Sequence, residues 1–226
     1  MRICGLQKTT LLDYPGKVAC TVFLGGCNFR CPFCQNSEIL SAASPAAYTQ
    51  DELFAFLQKR RGILEGVCVS GGEPLLHEEA EGLLKKIKAL GYCVKVDTNG
   101  SFPARLKKLC AAGLVDFVAM DIKNSPAKYA QTCGATVELA AVRESAAFLL
   151  EGGVDYEFRT TVADELHTEE DMEEIGAWLA GAKRFYLQNF RDAETVLCPG
   201  LHPCSEKKLQ AFRAVLRRTI PEAKIR

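Results

Sequence analysis

Charge of one sign is missing from this chain of 226 residues: 28 lysines and arginines offset 28 aspartates and glutamates spread along its length. That balance excludes the basic footprint of a nucleic-acid binder and the cationic patch of a membrane-surface protein, so any partner must be recognised by shape and local chemistry. Long apolar runs are also lacking, and nothing approaches the roughly 20 residues a spanning helix needs. The opening stretch MRICGLQKTTLLDYPGK has no apolar centre of the kind a secretory leader carries. A cytoplasmic protein that binds neither membrane nor nucleic acid is the expectation. No internal repeat, low-complexity tract or linker divides the chain, which predicts a single domain over residues 1–226, large enough to bury roughly 70% of its unfolded surface.

What the chain does have is cysteine, eleven in all. A disulfide framework is disfavoured by the odd count, by the absent leader and by a length that needs no staples. Metal or redox chemistry is the better reading.

Short β-rich runs alternate with amphipathic helical segments. Residues Val18 to Leu24, Val67 to Val69, Val94 to Val96, Phe117 to Met120, Tyr156 to Val162 and Arg184 to Leu187 read as buried strands. Thr49 with Glu52 forms a capping box ahead of Leu53, Phe54 and Leu57. Leu83, Leu84, Ile87 and Leu90 make the stripe of a second helix, Pro103 opens a third that Gly113 ends, and a fourth runs from Glu138 to Leu150. Thr168 and Ser205 cap two more, with Met172, Ile175 and Leu179 inward on one and Leu209, Phe212 and Leu216 on the other. Repeated βα units imply parallel strands with right-handed crossovers. An eight-unit barrel takes about 250 residues, so an α/β fold forming an incomplete (β/α)6 barrel is predicted, with a doubly wound open sheet as the alternative.

Directly after the first predicted strand, GGCNFRCPFCQN sets Cys27, Cys31 and Cys34 at x3 and x2 spacing. A structural zinc site wants four ligands, and no fourth cysteine or histidine lies near this loop. Three thiolates are one short of the four that normally hold a [4Fe-4S] cluster, which leaves one iron open to a substrate. Gly25 and Gly26 let the backbone turn close beside it.

Four further polar motifs lie on the other predicted strands, where the βα loops of a parallel barrel collect function. They are Ser70-Gly71-Gly72-Glu73-Pro74, Asp97-Thr98-Asn99-Gly100, Asp121-Ile122-Lys123, and Arg159 in the fifth strand with Gln188 after the sixth. A buried Asp97 carboxylate needs a cationic partner, which a methionyl ammonium or a bound monovalent cation would supply.

The CxxxCxxC triplet with Phe33 before its last cysteine resembles the signature of the radical S-adenosylmethionine superfamily, and GGEP and DIK resemble that family's GGE and DLK motifs. The resemblance implies that Cys27, Cys31 and Cys34 hold a [4Fe-4S] cluster whose open iron is chelated by S-adenosyl-L-methionine, which one electron cleaves to methionine and a 5′-deoxyadenosyl radical. It places Phe33 against the adenine, Gly71, Gly72 and Glu73 at the methionyl ammonium, Asp97 and Asn99 in the same pocket, Lys123 on the cofactor carboxylate, Arg159 on that carboxylate or a ribose hydroxyl, and Gln188 at the adenine edge.

The N-terminal Gly5-Leu6-Gln7-Lys8 and Asp13-Tyr14-Pro15-Gly16-Lys17 further resemble anaerobic ribonucleoside-triphosphate reductase activating proteins, which place a glycyl radical on a partner enzyme. That implies a glycyl-radical enzyme as partner and a flavodoxin or ferredoxin as electron donor. A pyruvate formate-lyase-type activase, or a radical enzyme acting on a small molecule, is the alternative. The remaining cysteines, with Cys198, Cys204 and Cys133 among them, are expected to be free thiols. His77 and His167 are expected at helix starts as solvated or capping residues, and Trp178 in the core.

Overall fold

The computed structural model describes residues 1–226, which gather into two compact units. The first comprises residues 1–28, 38–98 and 102–118, and the second residues 29–37, 99–101 and 119–226.

The first unit holds β1 (Ile3–Thr10), β2 (Ala19–Leu24), α1 (Gln50–Lys59), β3 (Gly66–Gly71), α2 (Ala80–Ala89), β4 (Cys93–Thr98) and α3 (Pro103–Ala111). Parallel pairing sets Thr21 beside Cys68 and Cys68 beside Lys95, so β2, β3 and β4 run as consecutive parallel strands. The helices between them start and stop where side chains dictate. The Thr49 hydroxyl accepts from the Glu52 amide while the Glu52 carboxylate accepts from Thr49, and Leu53 and Leu57 are buried. Phe54 stays half-buried at the edge of that face, with the Lys86 ammonium 5.5 Å from its ring centre. Leu83, Leu84 and Ile87 bury α2, and Pro103 stands in the first turn of α3.

β5 (Phe117–Asp121) begins in the first unit and ends in the second. In the first, the Asp116 amide donates to Val94 O (2.8 Å); in the second, the Ile122 amide donates to Arg159 O (2.8 Å). The second unit continues with α4 (Tyr129–Cys133), α5 (Leu139–Leu150), β6 (Asp155–Val162), α6 (Glu169–Trp178), β7 (Phe185–Asn189), α7 (Glu206–Leu216) and β8 (Ala223–Ile225). β6, β7 and β8 are again parallel.

Strand order follows chain order without reversal. A doubly wound sheet reverses its order at a switch point, so the topology is that of consecutive βα units, as in a (β/α) barrel. Two strands lie outside the predicted six. β1 pairs antiparallel with β2 and leaves Gln7, Lys8 and Thr9 exposed, so its ICGLQKTT sequence lacks the apolar run that marks a buried strand. β8 is too short, at three residues, to show a period. No helix is long and apolar enough to cross a membrane.

Candidate functional site

The predicted site residues divide between the units. Cys27, Gly71, Gly72, Glu73 and Asp97 belong to the first; Cys31, Phe33, Cys34, Asn99, Lys123, Arg159 and Gln188 to the second.

In the first unit the glycines after β2 and β3 lie backbone to backbone. The Gly72 amide donates to Leu24 O (2.9 Å) and the Glu73 amide to Gly26 O (2.8 Å). A Cβ on Gly72 would run into the Gly26 carbonyl and come within 3.2 Å of Cys27 Cβ, so only glycine lets this turn pass the cysteine loop. Gly71 has φ +121°, and a Cβ there would strike the backbone of Leu24. The Cys27 amide donates to Leu40 O (3.0 Å), and His77 Nε2 bonds Gly25 O at 2.7 Å. His77 is thus an anchor of the cysteine loop rather than a solvated residue.

Glu73 is fully buried and turned inward, its Oε1 accepting from the Leu75 amide (2.9 Å) and the Thr98 hydroxyl (2.8 Å). It caps a short 3-10 turn that starts at Pro74. Asp97 accepts from Ser70 Oγ (3.0 Å) and pairs with Lys95, whose side chain is completely buried.

In the second unit the ends of β5 and β6 meet in one cluster. Arg159 Nε donates to Asp121 Oδ1 (2.9 Å) and Lys123 Nζ to Asp121 Oδ2 (3.1 Å). Burial works against the Asp121 charge, but the Arg159 guanidinium and the Lys123 ammonium outweigh it and hold the carboxyl at about 2. Burial likewise opposes the Lys123 charge, and the Asp121 carboxylate more than restores it, pushing this lysine above its ordinary range. The Lys123 ammonium lies 6.0 Å from the ring centre of the buried Phe33.

Cys31 is buried and its thiol is pulled down to about 7, first by a hydrogen bond with the buried Cys133 and, against the cost of burial, by the nearby Lys123 charge. Burial pushes Cys34 up instead. The Arg30 amide donates to Cys133 O (2.8 Å), fixing the triplet segment on α4. Cys133 was expected to be a free thiol; its contact with Cys31 gave no signal in the sequence, because the pairing is long-range and helical spacing does not report it.

Asn99 is buried, with Oδ1 accepting from the Ser101 amide (3.0 Å) and hydroxyl (2.6 Å), and Gly100 takes the left-handed φ of +78° that this turn needs. Register places Gln188 opposite Thr161, on the same sheet face as Arg159, and it is half-buried there. His167 is completely buried: its Nε2 bonds Lys123 O (3.0 Å) and its Nδ1 accepts from the Ala163 amide (3.3 Å). It therefore positions the DIK segment and is not a solvated cap. Trp178 is half-buried, with the Tyr129 ring edge-on at 6.0 Å and the Arg143 guanidinium 5.9 Å from its ring centre. The loop after β7 braces the triplet segment, since the Leu197 amide donates to Cys34 O (3.1 Å) and the Cys198 amide to Pro32 O (3.0 Å). Cys198 is exposed and Cys204 buried.

No group of three or more His, Cys, Asp or Glu side chains is placed to share a metal ion; Cys27 belongs to the first unit and Cys31 and Cys34 to the second. Residues 21–179, well over half of the chain, match the family model described as the radical SAM superfamily. The chain belongs to the radical SAM superfamily. It is therefore an enzyme of the class that uses a [4Fe-4S] cluster and S-adenosyl-L-methionine.

Among relatives of this radical SAM chain, a Methanocaldococcus jannaschii protein named as a candidate glycyl-radical enzyme activating enzyme is 27% identical over 231 residues, covering 99% of the chain and 95% of the relative. The 7-carboxy-7-deazaguanine synthase of Halobacterium salinarum is 39% identical, over 94 residues only, 40% of the chain and 36% of the relative. A domain of pyruvate-formate lyase-activating enzyme from Bacteroides vulgatus has the same fold, with TM-score 0.59 at 20% identity, over 71% of the chain and 98% of that domain. The donor set fits the family's cofactors: thiols of which one already ionises near neutrality, glycines that admit a close backbone, and a cationic pair at the end of β5 and β6.

Proposed function

We propose that this chain is a glycyl-radical enzyme activating enzyme, with anaerobic ribonucleoside-triphosphate reductase as its partner. The observation that carries the reading is the extent of the likeness to the M. jannaschii protein, which runs through 99% of the chain and 95% of the relative. The N-terminal Asp13-Tyr14-Pro15-Gly16-Lys17 supports it, since the structure gives this segment a built-in place: Thr21 donates to Asp13 Oδ2 (2.5 Å), and Tyr14 is buried against Phe117 with ring centres 6.0 Å apart.

When bound, the cluster and S-adenosyl-L-methionine together supply a 5′-deoxyadenosyl radical on delivery of one electron. This chain's own residues bind and orient. Cys27, Cys31 and Cys34 would hold the iron, with the Lys123 charge favouring the thiolate forms of Cys31 and Cys34. Lys123 and Arg159, both held by Asp121, would meet the methionyl carboxylate by charge-assisted hydrogen bonds. Phe33 would give the adenine a face, and Gly71 and Gly72 would let the backbone of β3 approach the cofactor. Gln188 and Asn99 complete the polar lining. A hydrogen abstraction from a glycine needs proximity more than acid–base help, which agrees with His167 being engaged structurally.

A partial likeness to 7-carboxy-7-deazaguanine synthases favours a second reading, a radical enzyme acting on a small molecule. Anaerobic reconstitution with iron and sulfide, followed by reduction, separates the two. 5′-Deoxyadenosine should form, Cys27→Ala, Cys31→Ala or Cys34→Ala should each abolish it, and Cys198→Ala and Cys204→Ala should not. A glycyl radical seen by electron paramagnetic resonance on an added anaerobic ribonucleotide reductase supports activation. Its absence there and on a pyruvate formate-lyase-type enzyme, with turnover of a purine-like acceptor instead, refutes it.

A further inference from the structure

We infer that Lys95 is a built-in cation that positions Asp97, so that this carboxylate needs no alkali metal ion. The inference rests on reading Asp97 as part of the cofactor pocket only for its functional consequence; the pairing itself stands on geometry.

Lysine is out of place in a buried parallel strand. Lys95 sits between Val94 and Val96 in β4, and its whole side chain is shielded from solvent. A buried ammonium is tolerated only with a charged or strongly polar partner. Parallel register sets Lys95 beside Cys68, and the period of two along β4 puts Asp97 on the same face. The Lys95 ammonium accordingly contacts Asp97 Oδ1 and comes within 3.7 Å of Cys68 Sγ. The other carboxylate oxygen, Oδ2, accepts from the Ser70 hydroxyl at 3.0 Å. One strand further, opposite Cys68, Thr21 is engaged with Asp13.

A buried carboxylate at this place was expected to draw a cationic ammonium from the cofactor or a monovalent metal ion. Lys95 supplies that charge from within the chain. It makes the pair formally neutral, and a second small cation at the same carboxylate would be repelled by the buried ammonium. A tethered ammonium also cannot dissociate, so the aim of Asp97 becomes independent of the salts in solution. Lys95 is a positioning residue: it acts through Asp97.

The test compares potassium chloride with choline chloride at equal ionic strength, on the full chain. For the chain without cofactors the thermal midpoint is read; for the reconstituted protein, the affinity for S-adenosyl-L-methionine is read by equilibrium dialysis. The wild type should show the same midpoint and the same affinity in both salts. Lys95→Met should have a midpoint that rises when potassium or ammonium replaces choline, and an affinity at least tenfold weaker in choline that recovers at least fivefold with either ion. A wild-type midpoint that climbs with potassium overturns the inference, as does a Lys95→Met midpoint that no small cation moves. Should Lys95→Met fail to fold, the wild-type comparison and the doubly neutral Lys95→Met with Asp97→Asn decide it, the double variant being expected to fold and to ignore potassium. A cation-responsive Lys95→Met midpoint with unchanged affinity in both salts upholds the inference and removes Asp97 from the cofactor pocket.

Discussion

Replacing Asp121 by asparagine tests the charge cluster at the ends of β5 and β6 with almost no change of shape. The carboxyl is held at about 2 in the folded chain, against an ordinary value of 3.8. That difference is worth about 2 kcal/mol of folding stability at neutral pH. The variant also leaves Lys123 and Arg159, which are largely buried, without their shared anion, and stranding paired charges raises the loss toward about 4 kcal/mol. The pH dependence follows from the sign of the shift. A carboxyl depressed by folding stabilises fully above its unfolded value, so the wild-type advantage should be flat from pH 7 to about 5 and then shrink. It should be about half gone by pH 3, and gone once the pH falls through about 2. Urea unfolding of both proteins, with m-values compared to confirm the same unfolded surface, gives the difference at each pH. A loss below about 0.5 kcal/mol at pH 7, or a difference that stays constant from pH 7 to pH 3, would refute the claim that Asp121 is ionised and held by two cations.

Two other expectations follow from close contacts. Gly72→Ala should cost about 2 kcal/mol or more, because its methyl meets the Gly26 carbonyl, which is backbone and cannot rotate away; thermal melting checks the stability, and the iron content of reconstituted protein should fall in parallel. The buried Glu157 accepts from both terminal nitrogens of Arg226 (3.2 and 3.1 Å), whose guanidinium stacks 3.8 Å from the Tyr186 ring centre. Arg226→Ala should therefore cost about 3 kcal/mol by stranding the carboxylate, and adding Glu157→Gln should restore at least half of it; a double-mutant cycle by urea unfolding reports a coupling near zero if the contact is idle.

Much of the fold was legible because local physics writes it into short windows. All six predicted strands lie where apolar runs are bounded by turn residues, and the capping boxes at Thr49 and Thr168 mark the starts of α1 and α6. β1 escaped because its exposed Gln7, Lys8 and Thr9 break any apolar run, and α4 because five residues are too few to show a helical stripe. In the site, the DIK and Arg159 grouping could be anticipated, since alternate residues share a face and adjacent strand ends are neighbours. Glu73 could not be placed: its sequence context marks a turn, but only the fold brings Thr98 to its carboxylate. The roles of His77 and His167 were hidden for the same reason, their partners Gly25 and Lys123 being 52 and 44 residues away. Lys95 did leave a signal, a charge inside VKV in an otherwise apolar strand, and a lone charge in a buried run asks for a partner on the same face.

The two units solve the problem of buried charge differently, and the difference bears on what each can bind. In the first, the charge of Asp97 is answered by Lys95, and Glu73 is turned inward onto an amide and a hydroxyl. Such a surface offers backbone and shape more than charge. In the second, Lys123 and Arg159 both pair with one carboxylate, Asp121. On the proposed reading, the methionyl carboxylate gains from the Lys123 and Arg159 side chains by charge-assisted hydrogen bonds. Methionine amide, which lacks that negative charge, should then compete with S-adenosyl-L-methionine far less well than methionine itself.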